Sequence, residues 1–263
     1  LRGGGGNFGV ATRLEFRLHP LDTVVGGQLL FGGRGVRDAL LRFRDLAASS
    51  QRELSCQAIL SVDELRAPVL VIAPCYTGST ADPDELRSLR ARPGLIEDGV
   101  RRRSFLEQQQ VFDSPYGENR HYWKGHFVGG LPDELVDVLL ERVAALGRSP
   151  GDILIESLHG APKDVEPSFG GLGYRGAAFN VSAMATWADP ALDDEHIAWA
   201  RETAAALEPW AFGGGYANYM QADEPLERVR ASFGDDAFAR LRALKTRLDP
   251  SNVLRRNQNI PPL

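Results

Sequence analysis

The sequence predicts an α+β fold, an antiparallel sheet with helices covering one face and the other face free for a partner. Two observations carry this. Period-two alternation of apolar and polar residues recurs in short segments whose connections suit antiparallel pairing. Segments with apolar residues at helical spacing lie between them, mostly without the crossovers of a parallel sheet. At 263 residues the chain forms one large domain or two small ones. Its hydrophobic share of 43% and charged share of 25% suit a globular chain with a sizeable core.

Gly3-Gly4-Gly5-Gly6-Asn7-Phe8-Gly9 comes first. Alternation over Val10, Thr12, Leu14, Phe16 and Leu18 then predicts a strand. The glycine run lacks the Lys-Ser/Thr of a P-loop and leads into no helix, so neither that loop nor the dinucleotide fingerprint fits. It still lets backbone N–H groups approach a flat or anionic ligand. Thr23 to Phe31 is expected as one strand, and Val36 to Ala48 as a helix with Val36, Leu40, Leu41, Phe43 and Leu46 on its apolar stripe. Cys56 to Val62 and Pro68 to Tyr76 form a strand pair, and Pro83 to Ala91 a short helix. Ser104 to Tyr116 gives few signals and is expected as loop, with Arg101-Arg102-Arg103 before it a solvated stretch.

Asn119 to Val128 alternates, with His121, Trp123 and Gly125 on an aromatic core face and Tyr122, Lys124 and His126 on the other. That second face is costly to bury without ligands or partners. A helix follows over Pro132 to Leu146, a strand over Asp152 to Leu158, and a Gly/Pro-rich loop over Ala161 to Gly173 that can rim a pocket. Ala177 to Trp187 is a long apolar strand and Asp193 to Leu207 a helix. Phe212 to Asp223 holds three glycines, two phenols and an amide. Read as extended chain, it puts Tyr216 and Asn218 on one face and Tyr219 on the other, unless a curved backbone brings both phenols together. Helices over Pro225 to Phe233 and Asp235 to Leu248 precede a polar, proline-closed tail.

A net charge of -5 without a dominant basic face argues against a nucleic-acid partner. No Cys/His cluster suggests a metal, and Cys56 and Cys75 read as buried free thiols. No apolar run reaches the roughly 18 residues needed to cross a bilayer, so no membrane partner is expected. The chain begins at Leu1 inside a glycine run and is expected to be the C-terminal part of a longer protein; cytoplasmic and secreted locations both stay open.

Three stretches carry a resemblance. Leu1 to Thr12, Gly215-Tyr216-Ala217-Asn218-Tyr219 with Asp223, and Leu248-Asp249-Pro250-Ser251-Asn252-Val253-Leu254 through Pro262 together resemble the berberine-bridge-enzyme-like oxidases, FAD enzymes of the vanillyl-alcohol-oxidase type. Tyr122-Trp123-Lys124 and Tyr174-Arg175 also fall where bacterial members carry similar residues. The resemblance implies the last strand of an FAD-binding domain at residues 1–19, a substrate-binding domain at 20–208, and a segment completing the FAD site at 209–263. It further implies an N-terminal FAD domain as partner, with any covalent flavin-attachment residues upstream of this chain.

The implied chemistry is oxidation of an alcohol or amine carbon of a small-molecule substrate by hydride transfer to FAD, which dioxygen reoxidises to give hydrogen peroxide. Tyr219 is the expected base, with Tyr216 beside it and Tyr174 in support. A phenol works as a base only if its pKa falls well below about 10. A shared proton within a phenol pair, or the charge of Lys124 or Arg175, would supply that. Gly4, Gly5, Gly6, Asn7, Phe8, Gly9, Val10, Asn218 and Asn257 are expected at the cofactor, and Tyr122, Lys124 and Arg175 at the substrate. The competing class is a non-catalytic small-molecule-binding or interaction module, inactive without an FAD domain.

Overall fold

The computed structural model describes residues 3–49, 51–81, 83–113, 119–145, 151–166, 173–256 and 258–263. Among the described residues nine strands form one sheet: β1 (Thr23–Gly26), β2 (Leu29–Gly32), β3 (Leu54–Val62), β4 (Pro68–Tyr76), β5 (Leu95–Asp98), β6 (Arg101–Ser104), β7 (Arg120–Val128), β8 (Gly151–Ser157) and β9 (Phe179–Trp187). The order is β5-β2-β4-β3-β8-β9-β7, with β1 and β6 branching from β4, and the described pairings are antiparallel. The helices are α1 (Val36–Ser49), α2 (Asp84–Arg90), α3 (Phe105–Gln109), α4 (Asp133–Ala144), α5 (Asp193–Leu207), α6 (Leu226–Phe233) and α7 (Asp235–Leu248).

Alternation decides which face is covered. Leu54, Cys56, Ala58 and Leu60 of β3 join Ile153 and Ile155 of β8 and Val181, Ala183 and Ala185 of β9 in the main core. Leu40 and Phe43 of α1, Leu139 and Val143 of α4, and Trp199 and Ala200 of α5 pack onto that face. The intervening residues look the other way. Cross-strand register lines up Gln57, Glu156, Asn180 and Phe127 in one row on this second face.

A smaller second core gathers Met220, Val229, Phe233, Phe238 and Ile260. Phe8, Ala217 and Leu241 pack against it, so it ties the start of the chain to its end.

Three local expectations differ from the structure. Residues 10–18 form no strand; Val10, Leu14, Phe16 and Leu18 are exposed, because alternation without a neighbouring strand leaves the backbone unpaired. Thr23 to Phe31 splits into β1 and β2 where Gly27 adopts φ 139°. Arg101-Arg102-Arg103, with Arg101 and Arg102 exposed as a solvated stretch should be, lies in β6 and pairs through its backbone with β1. Ser104 then caps α3 by a capping box with Glu107.

Candidate active site

The glycines at 213–215 lead into a 3-10 turn over Ala217–Tyr219, not an extended run. Such a turn repeats every three residues, so the side chains of Tyr216 and Tyr219 fall on one side of it. Their rings meet edge to face at 4.8 Å between centroids. Tyr174 approaches Tyr216 at 6.1 Å and stacks on Phe127 at 4.4 Å, while Trp123 meets Tyr219 at 4.7 Å. The three phenols thus converge, by a curved backbone and not by strand alternation. Trp123 belongs to this face, where the sequence alone suggested an aromatic core face.

Glu156 was not singled out by the sequence, where it is one polar residue in an alternating strand. Tyr219 Oη donates to its Oε1 at 3.3 Å, and Asn180 Nδ2 donates to its Oε2 at 2.7 Å. One partner follows from register, since Asn180 is the cross-strand neighbour of Glu156; the other, Tyr219, reaches over from the 3-10 turn. The only advance signal was a carboxylate on a predicted strand facing away from Ile153 and Ile155.

Two hollows lie beside these residues, the larger against Tyr174 and Tyr216 and the smaller against Glu156. A cavity of about 730 Å³ is bounded by Gly5, Gly6, Asn7, Tyr174, Tyr216 and Gln258. Gly3, Asn218 and Gln221 also border it. A second hollow of about 350 Å³ runs from Glu156 over Gln57 and Cys75 to Gln108 and Phe112. Burial raises the Cys75 thiol pKa, so it stays neutral there.

The remaining expected residues fall in various places. Gly4, Phe8, Gly9 and Val10 do not border the larger cavity: Phe8 turns to the second core and Val10 is exposed. Asn257 lies outside the described residues, as do Pro167, Gly170 and Gly171 of the expected rim. Tyr122 sits on the helix-covered face, because strand alternation opposes it to Trp123; it is buried and its hydroxyl binds Asp223 at 2.8 Å. Lys124 shares that alternation and ion-pairs with Glu224 at 2.6 Å. Arg175 donates to the Pro162 carbonyl at 2.6 Å. The Tyr174 phenol is pushed up, not down: burial dominates, the Tyr216 and Glu156 neighbours add to it, and Arg175 offsets only part.

Lys124, Glu224 and Arg228 fasten the turn to β7. The Glu224 side chain, 2% exposed, lies between Lys124 Nζ and Arg228 Nε, the latter at 2.9 Å in a contact whose N–H is not aimed at the oxygen. Arg228 also donates to the Gly125 carbonyl. His126 beside it is held at a pKa of about 4, first by burial and then by Arg228 and Lys124.

Residues 215–261 match the family model described as "Berberine and berberine like". The whole chain is 24% identical to an FAD-linked oxidoreductase of Dictyostelium discoideum, of which it spans 57%. In three dimensions 98% of the chain superimposes on 59% of 6-hydroxy-D-nicotine oxidase from Arthrobacter nicotinovorans, at a TM-score of 0.82 and 22% identity. The berberine bridge enzyme of Eschscholzia californica follows, with 92% of this chain on 55% of that one, a TM-score of 0.76 and 19% identity. The fold is therefore shared with the matching parts of these two enzymes. The C-terminal stretch thus carries the berberine-like segment, and the chain as a whole is similar to FAD-linked oxidoreductases over a little more than half of their length.

Proposed function

We propose that the chain supplies the substrate face and the closing segment of an FAD-dependent oxidase. The oxidase removes a hydride from an alcohol or amine carbon and a proton from its oxygen or nitrogen, and dioxygen takes up the electrons as hydrogen peroxide. One observation carries it: the glycine-rich start, the polar tail and two of the three converging phenols bound a single cavity, with the third phenol packed against Tyr216. Residues 1–19 are assigned to an FAD-binding domain, 20–208 to substrate binding and 209–263 to completing the cofactor site. The exposed apolar side chains at Val10, Leu14, Phe16 and Leu18 favour a further sheet as the neighbour of the first segment.

The residues around the larger cavity fit a flavin. Its volume lies within the ordinary range for cofactor sites. The amides of Asn218, Gln221 and Gln258 are neutral donors and acceptors, suited to the imide edge of a flat ring. A Cβ added at Gly6 would meet nothing within 4 Å, so the backbone there is bare to a ligand. Next to Gln258, Asn259 Oδ1 is buried without a hydrogen-bond partner among the described residues. When bound, FAD accepts the hydride.

The substrate lies at the smaller hollow, beside Glu156 and within reach of the Tyr219 hydroxyl that donates to it. Tyr219 Oη takes the substrate proton while passing its own to Glu156 Oε1, so the carboxylate serves as the final acceptor. This relay needs no lowered phenol pKa, because the phenol is never required to hold the charge. Asn180 fixes the other carboxylate oxygen, and Trp123 and Tyr216 hold the Tyr219 ring. Asn218, which donates to Tyr216 Oη at 2.8 Å, keeps that phenol oriented at the cavity.

The whole protein should be yellow and release peroxide with its substrate; a colourless protein would point to a binding module instead. Tyr219→Phe is expected to slow flavin reduction roughly 10²–10⁴-fold with flavin retained. Stopped-flow absorbance measures this, and a near-normal rate removes Tyr219 from the relay.

A further inference from the structure

Lys245 is the most deeply buried charged residue described, with no exposed surface, in the last turn of α7. An uncompensated ammonium there would be costly. Its three N–H bonds have three acceptors: Asp249 Oδ2 at 2.6 Å, the Leu254 carbonyl at 2.6 Å and the Asn7 carbonyl at 2.9 Å. The first two belong to the turn after α7. The third lies 238 positions away, in the glycine loop.

The Asn7 side chain completes the connection. Its Oδ1 accepts from the Ile260 amide at 2.9 Å, and its Nδ2 donates to the carbonyls of Gly4 at 3.0 Å and Gln258 at 3.1 Å. Gln258 Nε2 in turn donates to the Met220 carbonyl at 2.6 Å, directly after the tyrosine turn. Glycine loop, tail and tyrosine turn are therefore one hydrogen-bonded unit on the rim of the larger cavity. Gly5 within it has φ 56°, a left-handed conformation that glycine adopts without a steric cost.

We propose that Lys245 is a positioning residue for the cofactor: its ammonium fixes the Asn7 carbonyl and so sets the glycine loop in the shape that receives the flavin. This rests on the FAD reading above. Asp249 balances the charge and, through its bonds to the Val253 and Leu254 amides, aims the turn that presents Leu254. The Asn7 contact has no such structural necessity for the helix and serves the loop alone.

The test compares Lys245→Met with the double variant Lys245→Met/Asp249→Asn in the whole flavoprotein. The single variant leaves a carboxylate without its ammonium and is expected to lower the melting temperature. The double variant removes that charge, so its melting temperature should recover, yet the Asn7 carbonyl still lacks its donor. Hydrogen exchange at residues 4–8 and 258–260 should then stay faster on the order of tenfold or more, with β3, β8 and β9 unchanged. Flavin fluorescence should rise as the ring loses fixed contacts. Recovery of slow loop exchange together with stability would overturn the proposal, leaving Lys245 a charge partner only. If the protein carries no flavin, the FAD reading fails, and with it the cofactor role; slow exchange restored in the double variant would defeat the loop-fixing claim separately.

Discussion

Glu156 joins the strand register to the tyrosine turn, and the proposed proton relay rests on its charge. Glu156→Gln keeps an acceptor for Tyr219 and a partner for Asn180, at nearly the same size. It should lower the rate of flavin reduction about 10²–10⁴-fold with little change in melting temperature. Rapid-scan kinetics beside a thermal melt would decide, and a strong loss of stability with a normal rate would make Glu156 structural. Gly125 matters for a steric reason. A Cβ there would run into the Val181 carbonyl and the Ser182 backbone, and the Gly215 backbone packs close above. Gly125→Ala should therefore cost roughly 1–3 kcal/mol, measurable by denaturant unfolding. These residue-level facts were only half legible. Tyr216 and Tyr219 stood out as phenols near glycines, but Glu156 looked like any polar strand residue.

Among the elements, β7 taught most. Its alternation was readable, yet the side that faced the site was not. Helix α5 covers the face of Tyr122, Lys124 and His126, whose polar groups are met by Asp223, Glu224, Arg201 and Arg228 arriving from distant segments. A period of two fixes that neighbours oppose, not which side is buried. His126 on this face titrates at about 4 in the folded chain against an ordinary 6.5. The unfolded chain thus binds a proton first, and the contribution to stability is lost as pH falls from about 6.5 to about 4. Melting temperature against pH should show that slope, and His126→Gln should flatten it. The turn at Ala217–Tyr219 is the second lesson: an extended run and a 3-10 turn are equally open to Tyr-Ala-Asn-Tyr, and packing against Trp123 selects the turn.

Across the whole molecule, two cores divide the labour. The main core holds the sheet to α1, α4 and α5; the smaller one holds α6, α7, the tail and Phe8. Truncation in each should act differently. Leu40→Ala, at a fully buried site, should destabilise the sheet by about 2–5 kcal/mol. Phe238→Ala should instead speed hydrogen exchange in residues 226–263 while the central strands stay protected. Equal loss of protection in both parts would mean that the cores unfold as one.

The amino-acid sequence alone determined the sheet-and-helix class, the positions of α1, α4, α5 and α7, and the family likeness at both ends of the chain, because periodicity and short glycine and proline motifs are local properties. Only the tertiary structure decided that Glu156 meets Tyr219, that Tyr122 turns from the site, and that Lys245 holds Asn7. Each of those is a contact between segments far apart in the chain, and a residue's own neighbours in sequence carry no record of what will cover it.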